Sequence, residues 1–432
     1  MFVASRWCGA AFLVVLLCGG SGAVAHELDD YLREIRAKSP AYRAALHRWQ
    51  AADAEVDAAS ALPDPSVGLG VFIQEVETRV GPQKQRVSLS QKVPWRGKLA
   101  LKGRRARALA DRAQTALNAI GLRLDSEFKT LYAEYFYVGR AIAITQDHLQ
   151  LLKDLEGVIT ERYETNAAQY NDLIRIQIEI DALSDRLITQ QEVAHPVKAA
   201  MNALLGREVD QALPFPESLP NGDRPRDPKT SSTLLNRHNP TLRGLDFQIE
   251  ADRTAVDLAK KNHYPDFKFG LDWINTGSAA MPGQPESGKD PIVLSVGVNL
   301  PIWRKKYRAI DRAAASRVEA SIQQRQDART HLEAQLKRAL FQWDDARRKV
   351  ELYRDQIIPK AEESLTVTTS GFQTGENSYL DLIEAEKALL EFLLSLHKAQ
   401  SNQLKAAAAI EVAIGVERSA EAREVSDHGK LD

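Results

Sequence analysis

The sequence repeats itself once, and this duplication restricts the possible folds more than any other feature. Residues near the start of the first copy return 200 positions later: Pro40, Arg43, Val56, Asp57, Ala59 and Pro65 recur as Pro240, Arg243, Val256, Asp257, Ala259 and Pro265. Residues near the end return 209 positions later: Thr165, Asp172, Leu173, Ile174 and Gly206 recur as Thr374, Asp381, Leu382, Ile383 and Gly415. So small a drift indicates a duplication with short loop insertions. We expect two structural repeats, at 26–212 and 230–417.

The N-terminus predicts a secretory signal peptide over residues 1–25. Arg6 is its only charged residue, an apolar core follows, and Ala23-Val24-Ala25 forms a small-x-small cleavage site. A retained membrane anchor is the rival interpretation, but the apolar run is too short to span a bilayer. Lipidation of Cys18 is disfavoured, because Leu17 stands where a small residue is expected.

Composition excludes several classes of protein. The chain is 44% hydrophobic and 27% charged with a net charge of −1, which is typical of a globular protein and not of a nucleic-acid binder. Cys8 and Cys18 both lie in the signal, so the mature chain has no disulfide, thiolate metal site or cysteine nucleophile. No metal-spaced histidine pair and no phosphate-binding glycine loop is present. We therefore expect no enzyme activity, no cofactor and no bound metal.

Each copy contains two runs in which apolar residues alternate with polar residues or glycine. The apolar positions are Val67, Leu69, Val71, Ile73, Val87, Leu89 and Val93 in the first copy, and Phe267, Phe269, Leu271, Trp273, Ile292, Leu294, Val296, Val298 and Leu300 in the second. Runs of about nine or ten residues have the length of a tilted membrane strand. A half-buried sheet of a soluble protein gives the same alternation. The segments 74–83 and 274–290 are expected to be loops.

Tryptophans at the strand ends favour the membrane interpretation. Trp95 and Trp303 follow strand-ending prolines, each with a basic neighbour, and with Trp273 they could form an interfacial girdle. Trp95 and Trp303 could equally be packing residues at a strand-to-helix corner. Four strands cannot close a barrel, and open sheet edges are not tolerated in lipid. The chain must therefore assemble, as a dimer with eight strands or a trimer with twelve.

The rest of each copy predicts long helices. One runs without proline from Lys98 to Tyr163, and its counterpart runs from Lys305 to Phe372 with a kink or break expected at Pro359. The helices that follow carry apolar residues at alternating steps of three and four, the seam of a coiled coil. The seam positions include Leu173, Ile176, Ile180 and Leu183 in the first copy and Leu382, Ala385 and Leu389 in the second. Five prolines make 213–229 a stiff linker, and 418–432 is a charged tail.

Taken together, these segments resemble outer-membrane efflux proteins of the TolC family. The resemblance rests on residues 359–365 (PKAEESL) and 372–383 (FQTGENSYLDLI), the closing pattern from Ala406 to Gly415, and the starts Ser39-Pro40 and Asn239-Pro240. Residues 91–98 (QKVPWRGK) resemble versions found in heavy-metal efflux operons.

The resemblance implies a mainly α protein with membrane β-strands. Three copies would form a twelve-stranded β-barrel in outer-membrane lipid, continued by a periplasmic α-helical barrel. It implies a passive exit duct that works with a periplasmic adaptor (membrane fusion) protein and an inner-membrane pump of the RND type. The alternatives from other classes are a periplasmic coiled-coil adaptor and an envelope scaffold protein.

The turns 164–171 and 373–378, where the seam helices begin, correspond by resemblance to the periplasmic tip. Asp381 and Glu384 lie three residues apart on one helix face, so three-fold symmetry would stack two acidic rings that select cations and gate the tip. Asp172 is the matching acid of the first copy. The alternative is that Ser378 and Asp381 only cap the helix. The two roles can coexist.

The same two turns suggest a second site. Several of their residues recur between the copies, and we expect them to form the adaptor-docking surface. These are Thr165, Tyr170, Thr374, Gly375 and Ser378.

Overall fold

The structure, a computed structural model, describes residues 20–165, 169–220 and 228–416. The first 19 residues of the predicted signal with Cys8 and Cys18, the linker segment 221–227, the turn residues 166–168 and the tail 418–432 lie outside the described residues. The elements are α1 (Gly20–Lys38), α2 (Pro40–Ser60), β1 (Ser66–Thr78), β2 (Gly81–Val93), α3 (Lys98–Glu164), α4 (Tyr170–Leu205), α5 (Pro228–His238), α6 (Pro240–Lys261), β3 (Phe267–Thr276), β4 (Ile292–Val298), α7 (Arg304–Leu352), α8 (Ile358–Thr374) and α9 (Tyr379–Ile414). None of the helices in this described part is long and apolar enough to cross a lipid bilayer.

The described residues form two compact units, and each sequence copy contributes to both. The helical unit takes its residues from the described parts of 1–40, 123–227 and 337–411. The sheet unit takes its residues from the described parts of 41–122, 228–336 and 412–432.

The sheet unit is built around four antiparallel strands in the order β1-β2-β3-β4. The register aligns the alternating apolar residues in rows across all four strands, one of which is Val67, Leu89, Leu271 and Leu294. The neighbouring row on the opposite face is Gly68, Ser88, Asp272 and Val293. Strands therefore share one apolar and one largely polar face, as the alternation predicted.

The loop predicted over 74–83 is wrong, because the first hairpin extends through most of it. β1 continues to Thr78 and β2 begins at Gly81, which leaves only Arg79 and Val80 as the turn. Gly81 adopts a φ of 129° and the Thr78 hydroxyl donates to its carbonyl at 2.7 Å. In an antiparallel ladder, polar residues form the same backbone hydrogen bonds as apolar residues. The strands therefore extend beyond the segment in which apolar and polar residues alternate.

The apolar face of this sheet is open to solvent in the single chain. Val67, Leu69 and Leu294 are 70%, 81% and 76% exposed. A half-buried sheet of a soluble protein would cover these side chains with its own core. A continuous apolar band of this kind requires a cover of lipid or protein.

The helical unit has its apolar core between four helices. α3 contributes Ile144, Leu149, Leu152 and Ile159; α4 contributes Ile176 and Leu183; α8 contributes Phe372; and α9 contributes Tyr379, Leu382, Ile383, Leu390 and Leu394. The predicted seams supply Ile176, Leu183 and Leu382 to this cluster, and their packing is confirmed. α3 alone has 67 residues, so it is on the order of 100 Å long.

The break predicted at Pro359 is confirmed and lies on its N-terminal side. α7 ends at Leu352, a π-helical turn covers Tyr353–Ile357, and α8 then begins at Ile358. Proline has no N–H and clashes with the carbonyl four residues earlier, so the turn before it widens.

The recurring glycines and Ser/Asn-Pro pairs form the same kind of contact in both copies. Gly206 ends α4 with φ 68°, and a Cβ there would lie 3.2 Å from the Lys38 carbonyl. Gly415 follows α9 with φ 87°, and its Cβ would lie 2.5 Å from the Asn239 Cα. Asn239 caps α6 through the N–H groups of Thr241 and Leu242 and donates to the Ala413 carbonyl at 2.9 Å. Each glycine thus lets a long helix end close to the junction between two shorter helices, α1–α2 in the first copy and α5–α6 in the second.

We expect Gly415→Ala to lower the melting temperature by several degrees or to prevent folding. The new methyl group would meet backbone atoms in a conformation that only glycine adopts without strain. The matched control is Gly157→Ala in α3, where a Cβ meets nothing within 4 Å. That change should leave the melting temperature equal or higher, since alanine is favoured in a helix by up to about 1 kcal/mol. Thermal unfolding in detergent measures both, and equal shifts would contradict the expectation.

Candidate functional site

The turn between α8 and α9 is held by its own backbone. Gly375 has φ 82°, and the N–H groups of Glu376 and Asn377 both donate to the Gly371 carbonyl, at 2.8 and 3.1 Å. The side-chain amide of Asn377 also donates to the Thr368 carbonyl at 3.3 Å. Gly375, one of the predicted docking residues, therefore has a conformational role in ending α8.

Asp381 caps the start of α9. Its carboxylate accepts from the Ser378 N–H at 2.9 Å and from the Ser378 hydroxyl at 2.6 Å, and its own N–H donates to that hydroxyl at 3.2 Å. These hydrogen bonds from Ser378 hold the pKa of Asp381 below its usual value. Capping is thus present, while the carboxylate stays exposed and charged.

Glu384 lies one turn further along α9 and is also exposed. No ion pair of Glu384 with another described residue is found, whereas Lys387 on the next turn pairs with Glu179 of α4 at 2.7 Å. Asp381 and Glu384 therefore present two uncompensated negative charges on one helix face. This arrangement leaves the gate hypothesis and the capping role compatible.

Asp172 occupies the matching place in the first copy. The Gln169 N–H donates to the Asp172 carboxylate at 3.3 Å, and α4 begins at Tyr170. One turn later the first copy has Arg175 where the second has Glu384. The acidic face is therefore a property of the second copy alone.

The predicted docking residues lie on the surface of these turns. Thr165 and Thr374 are exposed, and each hydroxyl donates to carbonyls of its own last helical turn. Tyr170 is 59% exposed, whereas its counterpart Tyr379 is 6% exposed and packs in the helical core. Ser378 is exposed but engaged with Asp381.

A repeated aromatic contact was not predicted from the sequence. Tyr163 packs on Tyr170 with ring centroids 5.8 Å apart, and the equivalent Phe372 packs on Tyr379 at 6.4 Å. The guanidinium of Arg162 lies 4.2 Å from the Phe372 ring centre and donates to the Phe372 carbonyl at 3.3 Å. The offset of 209 residues could have found both pairs, since all four positions are aromatic.

A buried Glu–His pair in the helical unit was also missed. Glu386 of α9 is 6% exposed, and its Oε2 lies 3.5 Å from Nδ1 of His148 on α3. Burial raises the pKa of Glu386 to about 7 and lowers the pKa of His148. Burial therefore disfavours the charged form of both groups. Glu386 lies four residues after the seam residue Leu382, and this spacing was the available signal.

The three tryptophans have different surroundings. Trp95 is half-buried and stacks on Tyr264 and Phe267, with ring centroids 5.2 and 5.8 Å apart, so it packs at the strand-to-helix corner. Trp303 is 71% exposed. Trp273 lies on the apolar face and is 39% exposed. The girdle stays a prediction that Trp303 and Trp273 fit better than Trp95.

Among the described residues, no group of three or more His, Cys, Asp or Glu side chains could hold a metal ion.

The second half of the chain matches a family model. Residues 232–416 match the family model described as outer membrane efflux protein. The chain is similar to the cobalt-zinc-cadmium resistance protein CzcC of Cupriavidus metallidurans, with 24% identity over 202 residues, 45% of this chain and 44% of that protein. It is also similar to the alkaline protease secretion protein AprF of Pseudomonas aeruginosa, with 24% identity over 317 residues, 70% of this chain and 65% of that protein. The chain thus spans less than two thirds of the length of each of these relatives.

Solved structures share the fold over nearly the whole chain. The outer membrane protein VceC of Vibrio cholerae matches with a TM-score of 0.77 at 18% identity, covering 92% of this chain and 98% of VceC. The mainly α fold with a strand hairpin in each copy, expected from the sequence, is therefore confirmed.

We expect Glu386→Gln to stabilise the protein relative to wild type increasingly as the pH rises from 5 to about 7, and the difference to level off above that. Because the folded pKa of about 7 exceeds the usual value near 4.5, the stability linked to the protonated carboxyl is present at low pH and is lost progressively as the pH rises from the usual value to the folded one. Glutamine keeps the neutral shape and does not ionise. Melting temperatures of variant and wild type, compared at each pH, test this.

The control is Glu391→Gln on the same helix, whose carboxylate is 57% exposed and pairs with Arg186. Its difference from wild type should stay flat over this range. A flat difference for Glu386→Gln as well would refute the assignment.

Proposed function

Because residues 232–416 match the family model described as outer membrane efflux protein, we propose that this chain is the outer-membrane exit duct of a tripartite efflux system. It conducts substrates passively, without chemistry of its own, from the periplasm to the exterior. The observation that carries the proposal is the four-stranded sheet, which exposes an apolar band on one face and a polar, glycine-rich face on the other. That combination suits a wall between lipid and water.

The sheet edges support assembly into a closed barrel. In the described chain β1 and β4 each pair on one side only. An unpaired backbone group in lipid costs several kcal/mol, so each edge needs a partner strand. We propose that β4 of one copy pairs with β1 of the next, and that three copies close a twelve-stranded barrel with the long helices in the periplasm.

The duct would work with a periplasmic adaptor and an inner-membrane pump of the RND type. The two curated relatives are named for cobalt-zinc-cadmium resistance and for alkaline protease secretion. These names refer to metal ions in one relative and to a protein in the other. We propose that the pump chooses the cargo and that the duct gates its exit.

The gate we propose is the acidic face of α9. Three copies would bring their Asp381 and Glu384 side chains together at the tip, where the carboxylates repel one another. The Asp381 carboxylate also accepts the capping hydrogen bonds from Ser378. Asp172 lies at the equivalent helix start and adds a further charge there.

We expect Asp381→Asn with Glu384→Gln to raise the resting single-channel conductance or to weaken block by divalent cations in planar bilayers. Asparagine still accepts the hydrogen bonds from Ser378, so the helix start survives while the ring charges disappear. Glu391→Gln, an exposed neutralisation further along α9, serves as the control. A record identical to wild type for the double variant would exclude the gate.

Both cysteines, Cys8 and Cys18, lie in the predicted signal peptide, so single introduced cysteines allow a test of adaptor docking. We expect single cysteines at Thr165 or Thr374, in cells that also express the adaptor, to yield cross-links to it with a short bifunctional reagent. Both side chains are exposed, and each hydroxyl donates to a carbonyl of its own helix. A cysteine at Ser287, in the β3–β4 loop, should give none. Cross-links from the control alone, or from no position, would reject these residues as the docking surface.

A further inference from the structure

The acids of the polar sheet face are each bound by their own cation. Arg86 donates through Nε to Asp272 at 3.0 Å, and its NH2 group lies 2.8 Å from the same oxygen. Asp266, just before β3, accepts from Lys98 at 2.7 Å and from the Trp95 N–H at 2.9 Å. These two acids are therefore satisfied by contacts that join strands to each other and to α3.

Two further lysines lie on the same face, and neither is the closest cation to Asp266 or Asp272. Lys92 of β2 and Lys268 of β3 are direct cross-strand partners. Like charges placed directly opposite each other destabilise a sheet, so ordinary strand pairing does not account for the pair. Lys268 is exposed, faces Gly297 on β4, and forms no ion pair with any described residue. Lys92 is 59% exposed and approaches Asp266 only to 3.6 Å, outside the closer Lys98 contact.

Asp64 is a further acid close to this end of the sheet in sequence, two residues before β1. It is exposed, and no ion pair of it with a described residue is found. Asp64 offsets one of the two lysine charges at most, so the foot of the polar face keeps a positive excess in each copy.

The positions of Lys92 and Lys268 in the strand order decide where their charges lie in an assembled barrel. β2 and β3 are the central strands, so the lysines lie away from the β1 and β4 edges through which another copy would join. In a closed barrel with its apolar face toward lipid, the polar face lines the lumen, and symmetry places the pairs of all copies at one height.

We propose that Lys92 and Lys268 form a cationic ring at the foot of the barrel lumen that makes this part of the duct prefer small anionic solutes over cations. The inference rests on the proposed duct and adds a substrate class to it. Rings of basic side chains select anions in other pores. Metal cargo would therefore cross this ring more readily as an anionic complex than as a free divalent cation.

The test uses the full-length protein in planar bilayers under a KCl gradient, with Asp381→Asn and Glu384→Gln as the background so that the acidic tip does not mask the barrel. The background channel should have a reversal potential of the sign for anion preference. Adding Lys92→Gln and Lys268→Gln should move it toward zero or reverse it. Asp64→Asn should strengthen the anion preference. Lys289→Gln, in the β3–β4 loop, makes the same change in charge elsewhere and should move the potential little.

Heat-modifiable gel migration checks that each variant assembles, and Lys268→Gln alone, at an exposed site, gives a milder variant. The ring is overturned, and the duct is left intact, if the channel conducts but its reversal potential is unchanged by Lys92→Gln with Lys268→Gln. The same holds if Lys289→Gln changes the reversal potential by an equal amount. Assembled protein that never conducts overturns the duct and, with it, the ring.

Discussion

Backbone hydrogen bonding at the edges of the sheet constrains everything else in this structure. β1 and β4 each have one unpaired side in the described chain, while the side chains on one face are apolar and open. In water, such a sheet would invite indiscriminate pairing, and in lipid its edges would be too costly to leave unsatisfied. Only assembly that joins edge to edge removes both problems. The oligomeric duct proposed for this chain follows from that requirement.

The contact of Asp266 with α3 shows how a thin strand wall is attached to a long helix. Its carboxylate accepts from Lys98, the first residue of α3, and from the Trp95 N–H, while the Trp95 ring stacks on Tyr264 and Phe267. Buried charge-assisted hydrogen bonds of this kind fix an orientation that an apolar contact would leave free to slide. The strands and α3 are therefore held in one register at their junction.

Duplication supplied the same mechanical parts twice, and the copies then diverged where chemistry is exposed. The glycine ends at Gly206 and Gly415 and the aromatic pairs at the two turns are kept. The charges one turn into the seam helices are not, since Arg175 corresponds to Glu384. Helix termination depends on backbone geometry, which tolerates little change, whereas an exposed charge can be altered at little cost to stability.

Several features were determined by the sequence alone, because they depend on local periodicity and backbone chemistry. The alternation in the strands, the seam residues Ile176 and Leu382, and the break before Pro359 all appear where the pattern predicted them. The first hairpin is longer than predicted, because polar residues form the same ladder hydrogen bonds as apolar residues. The alternation of apolar residues therefore ends before the strands do. The pairing of Lys92 with Lys268 and the burial of Glu386 against His148 were decided only by the tertiary structure. Both join residues more than 150 positions apart, and cross-strand register and interhelical packing are set by the whole assembly of elements and leave no local trace in the chain.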